Sequence, residues 1–332
     1  MGRPPRDLNM RLPDTVLKTV GFLSASTTQV RYGGTGFVIA TPRPDGGAFL
    51  HFVTAKHVAD ELGGAPFALG INRKNGEPAL IHADDVRWFF HPTEPNAVDA
   101  AIAIFAPTNY EELDLHLMTE HYFAMPDKMP ERGMGIGDEI AVVGLFTKFW
   151  GSKRLFPIVR TGNLAMLPTE RVPARNFDPM EVYLAEGRSI GGLSGSPVFI
   201  RQTVNFMMKD DKGEDFPFSG LGQLYLLGMM HGHWELPGSF SKVENAEAVN
   251  MGISIVTPIH KINEILYSPE MILMRNHLEA QIMVSHGPVQ DSDLRRPDTP
   301  RTQITPEGAK IPIPTQEQFL DDLTKATRKV KP

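Results

Sequence analysis

The feature that most constrains this chain is a succession of short apolar or alternating runs, each closed by Gly, Pro, Asn or Asp. They fall at Val16 to Ser24, Gly36 to Ala40, Ala48 to Thr54, Leu80 to Ala83 and Ala100 to Phe105. A second set follows at Glu139 to Phe146, Leu155 to Met166, Glu181 to Ala185, Ser196 to Ile200, Gln223 to His233 and Gly252 to Thr257. Runs of this length with period-two or continuous apolar patterning are strand signals, and their regular punctuation predicts an all-β barrel architecture. Tyr110 to Arg132 lacks a strand period, carries Pro126 and Pro130, and reads as the connection between two halves.

The barrel pattern ends at Pro258, after which Ile259, Ile262, Ile265, Leu266, Ile272 and Leu273 recur at helical spacing as far as Met283, with a break expected at Pro269. Beyond Val284 the chain is rich in Pro, Asp, Arg, Thr and Gln, which predicts a flexible tail. Glu317 to Lys329 places Phe319, Leu320, Leu323 and Ala326 on one face of a short terminal helix, either a solubilising end or a docking peptide for a protein partner. The expected organisation is an N-terminal arm over 1–14, a first β-barrel over 15–131, a second barrel with its C-terminal helix over 132–284, and a tail over 285–332.

Composition narrows the function. Of 332 residues, 41% are hydrophobic and 22% charged, enough apolar content to bury a core. The formal charge of -6 argues against a nucleic-acid or anionic-membrane partner, which calls for a basic face, and leaves proteins or peptides. The absence of cysteine removes thiol nucleophiles, thiolate metal sites and disulfides, and favours a reducing compartment. No apolar run of signal-peptide or membrane-spanning length is evident, so a cytoplasmic location is expected.

Three segments carry chemistry. Gly191-Gly192-Leu193-Ser194-Gly195-Ser196-Pro197 supplies a serine at a glycine-flanked turn. Gly192 is able to take the positive φ of a turn that presents its N–H to an oxyanion, and Gly195 lets the chain pass closely behind. Phe52-Val53-Thr54-Ala55-Lys56-His57 ends an apolar strand in a histidine, with Lys56 expected to point outward. An imidazole titrates where a general base works near neutral pH. Val98-Asp99-Ala100-Ala101-Ile102 sets one carboxylate at the head of an apolar strand, a costly placement unless an imidazole N–H or another donor meets it. Each segment alone also reads as an ordinary turn, strand end or cap; together they give the order His, Asp, Ser.

On these residues the sequence resembles the trypsin-like, or chymotrypsin-fold, serine peptidases. It is closest to bacterial members with Gly-Xaa-Ser-Gly-Ser-Pro-Val-Phe, such as glutamyl endopeptidases and HtrA-type protease domains. Thr54 to His57 resembles Thr-Ala-Ala-His, Val98 to Ala101 resembles Asp-Ile-Ala-Leu, and Gly192 to Pro197 resembles Gly-Asp-Ser-Gly-Gly-Pro. Gly34 to Phe37, Gly137 to Glu139, Leu226 to Met230 and Gly252 to Pro258 fit the same pattern, so the likeness spans residues 15 to 268. It implies two six-stranded antiparallel barrels, a serine endopeptidase with His57, Asp99 and Ser194 as its triad, and an oxyanion hole from the N–H groups of Gly192 and Ser194. No cofactor is implied.

The resemblance also implies a substrate pocket formed by Arg188, Met230, His231, Gly232 and His233. Arg188 and the two histidines there would suit an acidic side chain before the scissile bond. Leu193 replaces the Asp or Asn usual before the serine, which implies no zymogen-type activation. Other readings are an α/β-hydrolase, disfavoured because Ser196 stands where its last glycine would, and a metal site at His231, His233 and Glu235 on one strand face. A silent peptide-binding module that acts through its tail is the reading from a different class. The run Lys310 to Pro314 raises autoregulation by that tail.

Overall fold

The computed structural model describes residues 11–174, 177–187, 192–209, 213–220, 222–235, 250–286, 302–304 and 310–312. The chain divides into two units, Met1–Arg275 and Asn276–Pro332. In the first, a 3-10 turn over Asp14–Lys18 leads into β1 (Val20–Ser24), β2 (Tyr32–Pro42) and β3 (Ala48–Thr54). Helix α1 (Lys56–Leu62) follows at once, then β4 (Phe67–Asn72), β5 (Pro78–Ala83) and β6 (Ala101–Ile104). These strands form one antiparallel sheet in the order β5-β4-β1-β2-β3-β6.

After two short 3-10 turns come β7 (Glu139–Gly144), β8 (Ile158–Met166), a small hairpin of β9 (Val172–Ala174) and β10 (Phe177–Met180), and β11 (Tyr183–Glu186). Then follow β12 (Pro197–Arg201), a second hairpin of β13 (Asn205–Lys209) and β14 (Asp215–Ser219), β15 (Leu224–Glu235) and β16 (Asn250–Pro258). Six of these close a barrel in the order β11-β16-β15-β12-β7-β8. Helices α2 (Ile259–Leu266) and α3 (Pro269–His286) complete the series, with Pro269 opening α3 where a missing N–H costs nothing.

Two six-stranded antiparallel units followed by a C-terminal helix make the chymotrypsin fold expected from the sequence. The first unit departs from that expectation in one respect: β5 and β6 share no ladder, so this sheet is open. The outer edge of β6 is instead covered by Phe89, whose backbone exchanges two hydrogen bonds with Ile102, at 2.7 and 2.9 Å. That pairing satisfies an edge that would otherwise be exposed.

The sequence runs map onto strands where one face or both faces are apolar. Phe22, Phe37, Ile39, Val53 and Ile102 fill the first sheet, and Ile140, Leu164, Tyr183, Val198, Leu227 and Val256 fill the barrel. The first core continues through Val143, Phe199 and Leu226 to Ile259, Ile262, Ile265 and Leu266 of α2, so both sheets and the helix share one apolar mass. A polar cluster fixes α2 from its other side: Lys261 Nζ lies 3.0 Å from Glu94 Oε2 and 3.4 Å from Glu181 Oε2.

Several sequence expectations are corrected. Val16 lies in the 3-10 turn, not in β1, and His57 sits on α1, not at a strand end. Of the tail expected to lack structure, Thr302–Ile304 and Lys310–Pro312 pair as a two-stranded antiparallel hairpin, β17 and β18. The terminal helix over Glu317 to Lys329 falls outside the described residues, as does most of the N-terminal arm. No described helix is long and apolar enough to cross a membrane.

Candidate active site

His57 is mounted by the junction between β3 and α1. Thr54 ends the strand, Ala55 takes the extended backbone that precedes a helix (φ -68°, ψ 143°), and Lys56 and His57 form its first turn. Val58, Ala59 and Leu62 bury the inner face of that helix, while the His57 ring turns to Asp99 and stays partly exposed to solvent. Lys56 does not simply face outward: its ammonium pairs with Asp60 at 2.7 Å and lies over the Phe90 ring.

Asp99 precedes β6 by two residues and is fully buried. Its carboxylate is met by three donors. The His57 backbone N–H reaches Oδ1 at 2.9 Å, His57 Nδ1 lies 2.8 Å from Oδ2, and His231 Nδ1 lies 2.5 Å from the same Oδ2. Burial works to raise the Asp99 pKa, but the hydrogen bonds and positive charge of His231 and His57 hold it well below the usual carboxylate range. Burial also opposes the charged form of His57; the hydrogen bond and charge of Asp99, with Glu61 and Asp60 nearby, outweigh it and raise the imidazole above its ordinary value.

Ser194 sits in the turn between the barrel strands β11 and β12, held by the first sheet. The Thr35 N–H donates to the Ser194 carbonyl at 3.1 Å, and the Ser196 N–H closes the turn on the Leu193 carbonyl at 2.9 Å. The Thr35 hydroxyl donates to the Gly192 carbonyl at 2.7 Å and accepts the Leu145 N–H at 3.0 Å, tying the turn to β2 and to the end of β7. Both glycines meet their expected constraints: φ is +94° at Gly192 and +83° at Gly195. A Cβ at Gly195 would stand 2.0 Å from the Thr35 carbonyl, a clash with backbone.

The Ser194 hydroxyl donates to the His231 backbone carbonyl at 3.2 Å. Among the described hydrogen bonds none joins Ser194 to His57. His231 thus meets all three predicted residues: its carbonyl accepts from Ser194, its ring reaches Asp99, and that ring stands edge-on to His57 and to Phe177 with centroids 5.6 and 5.3 Å apart.

That position differs from the pocket role expected of His231. Its imidazole is turned onto Asp99. Met230 is buried in the barrel core, and Gly232 lies beside a register shift in β15 between Met230 and Gly232. Arg188 and the side chain of His233 fall outside the described residues, so the acidic pocket expected there does too, as does the side chain of Glu235 in the alternative metal site. Thr35, which carries the turn of Ser194, lies in the Gly34 to Phe37 run that the sequence marks as a strand of the resemblance, with no role at the site.

No protein-family model and no curated protein matches the sequence. Among solved structures, the chain is similar to the MamO protease domain from Magnetospirillum magneticum (apo form), with 14% identity over 63% of this chain and 94% of that one at a TM-score of 0.40. It is similar to Deg5 with 14% identity over 75% of this chain and 88% of that one at 0.42. It is also similar to the HtrA-type protease AlgW with decapeptide, with 12% identity over 76% and 66% of the two chains at 0.42. The roles of the residues rest on the geometry described above.

Proposed function

We propose that this chain is a serine endopeptidase that hydrolyses protein or peptide substrates through an acyl-enzyme. The observation that supports this reading is that His231 links the three residues: its ring meets the Asp99 carboxylate that His57 also meets, and its backbone carbonyl accepts the Ser194 hydroxyl. His57 Nδ1–H donates to Asp99 at 2.8 Å, which fixes the tautomer with the Nε2 lone pair facing out as a base.

In the reaction, Ser194 Oγ forms a bond to the scissile carbonyl carbon as its proton passes to His57 Nε2. The oxyanion is met by the N–H groups of Gly192 and Ser194. Asp99 stabilises the imidazolium, which then hands its proton to the leaving amine as the C–N bond breaks. Water repeats the sequence on the acyl-enzyme and frees Ser194. The hydroxyl first leaves the His231 carbonyl and turns toward His57; catalytic hydrogen bonds commonly tighten only once substrate is bound.

One observation favours a second reading, a peptidase fold used only for binding: Ser194 donates to His231 and not to His57. Hydrolysis of an unfolded protein such as casein separates the two. The peptidase reading expects cleavage by the full chain that disappears in Ser194→Ala. Binding without cleavage by a folded wild type overturns it.

A further inference from the structure

Orienting a base takes one imidazole on Asp99, yet two are present. His57 Nδ1 and His231 Nδ1 lie 2.8 and 2.5 Å from the same carboxylate oxygen, and the three ligand-type atoms are all within 4.8 Å of one another. The carboxylate is fully buried, while the side chains of His57 and His231 keep 34% and 14% of their surface exposed. An ion therefore has a route in from solvent and a fixed anion at its end.

We propose that Asp99, His57 and His231 form a binding site for a divalent transition-metal ion of the zinc type, and that the bound ion switches the peptidase off. The site follows from the three side chains alone; the inhibition rests on the reading of His57 as the general base.

Imidazole and carboxylate are the nitrogen and oxygen ligands Zn²⁺ takes, at about 2.0–2.2 Å. A tetrahedral ion with such bonds sets neighbouring donor atoms about 3.3 Å apart, so each ring has to back away from Asp99 by less than about 1 Å. The surroundings already hold the ligands. The His57 backbone N–H anchors the second carboxylate oxygen at 2.9 Å, and the Phe177 ring packs edge-on against His231. Three protein ligands leave the fourth position to a water.

The inhibition follows from where the protons go. Each imidazole turns Nδ1 to the Asp99 carboxylate and donates an N–H from it. A metal bond needs the Nδ1 lone pair, so the one proton that a coordinated imidazole keeps sits on Nε2, and nothing is oxidised or reduced. His57 Nε2 is then an N–H donor with no lone pair for the proton of Ser194. Removing the ion restores the base.

The test uses the full chain stripped with a chelator. Co²⁺ is titrated in and followed by its visible absorption, and Zn²⁺ is titrated by calorimetry. One ion per chain is expected, with the strong absorption of a tetrahedral site. His231→Asn and His57→Ala should each weaken binding by at least about 100-fold, because loss of an outer partner alone already costs up to that much. Ser194→Ala should keep it, and a circular-dichroism spectrum unchanged from wild type shows that each variant folds. Absence of saturable binding to wild type, or affinity undiminished in both histidine variants, overturns the site.

Labelling by an activated-serine phosphonate, with and without Zn²⁺, tests the switch. Labelling of the stripped protein, lost with Zn²⁺ and recovered with chelator, supports it. Labelling indifferent to a bound ion overturns the switch. Ion binding by a stripped protein that never labels overturns the peptidase reading and the switch, and leaves the site standing.

Discussion

The hydroxyl of Ser194 is donated to the backbone carbonyl of His231, at 3.2 Å. The nucleophile therefore rests on the barrel strand that carries His231, while the imidazole proposed as its base rests on the carboxylate of Asp99.

Asp99→Asn should leave the fold intact and remove most of the activity. The amide offers an N–H to His57 where the carboxylate offered a lone pair, so the imidazole shifts its proton to Nε2 and can no longer accept one from Ser194. The expected loss in kcat is about 10⁴-fold, with KM little changed. Steady-state hydrolysis checks it, and a fall confined to KM would contradict the role.

Thr35→Val should loosen the turn of Ser194 from a distance. Its hydroxyl is buried and serves both the Gly192 carbonyl and the Leu145 N–H, at 2.7 and 3.0 Å. Valine fills the same volume and leaves two buried groups unpaired, a cost of about 2–4 kcal/mol. Chemical denaturation should show that loss, together with a fall in kcat, because the Gly192 N–H belongs to the proposed oxyanion site.

The strands were legible where burial is one-sided or where apolar runs are bounded by Gly and Pro, as in β3 and β6. β4 was not among the runs read from sequence: like β3 it is buried at almost every position and shows no alternation, but Gly70 cuts its apolar run to the three residues Phe67 to Leu69. Helix α1 has seven residues and no side-chain cap, too little for a helical period to show. The residues His57, Asp99 and Ser194 stood out because each is a polar group in an apolar or glycine-rich setting. The place of His231 did not, because it depends on the register shift between Met230 and Gly232, and a bulge that re-aims a side chain leaves no mark in the residue order.

His51 should make the fold sensitive to mild acid. It is fully buried on β3, with Nε2 unpartnered, and burial together with the charge of Arg275 lowers its pKa to about 4. In the unfolded chain a histidine titrates at about 6.5. Between these values the unfolded state binds a proton that the folded state refuses, so the contribution is complete above about pH 6.5 and is lost as pH falls toward 4. Denaturation of wild type should lose roughly 3 kcal/mol more than His51→Leu between pH 7 and pH 4. Parallel pH profiles for the two proteins would contradict this.

Peptide hydrolysis by this chain requires Ser194 to be an activated nucleophile. The most direct test is labelling of the chelator-treated full chain by a fluorescent phosphonate that reacts only with such serines, alongside Ser194→Ala. One label per chain is expected, located on Ser194 by peptide mapping and absent from the variant. A folded, metal-free wild type that takes no label, or takes it equally in the variant, would contradict it.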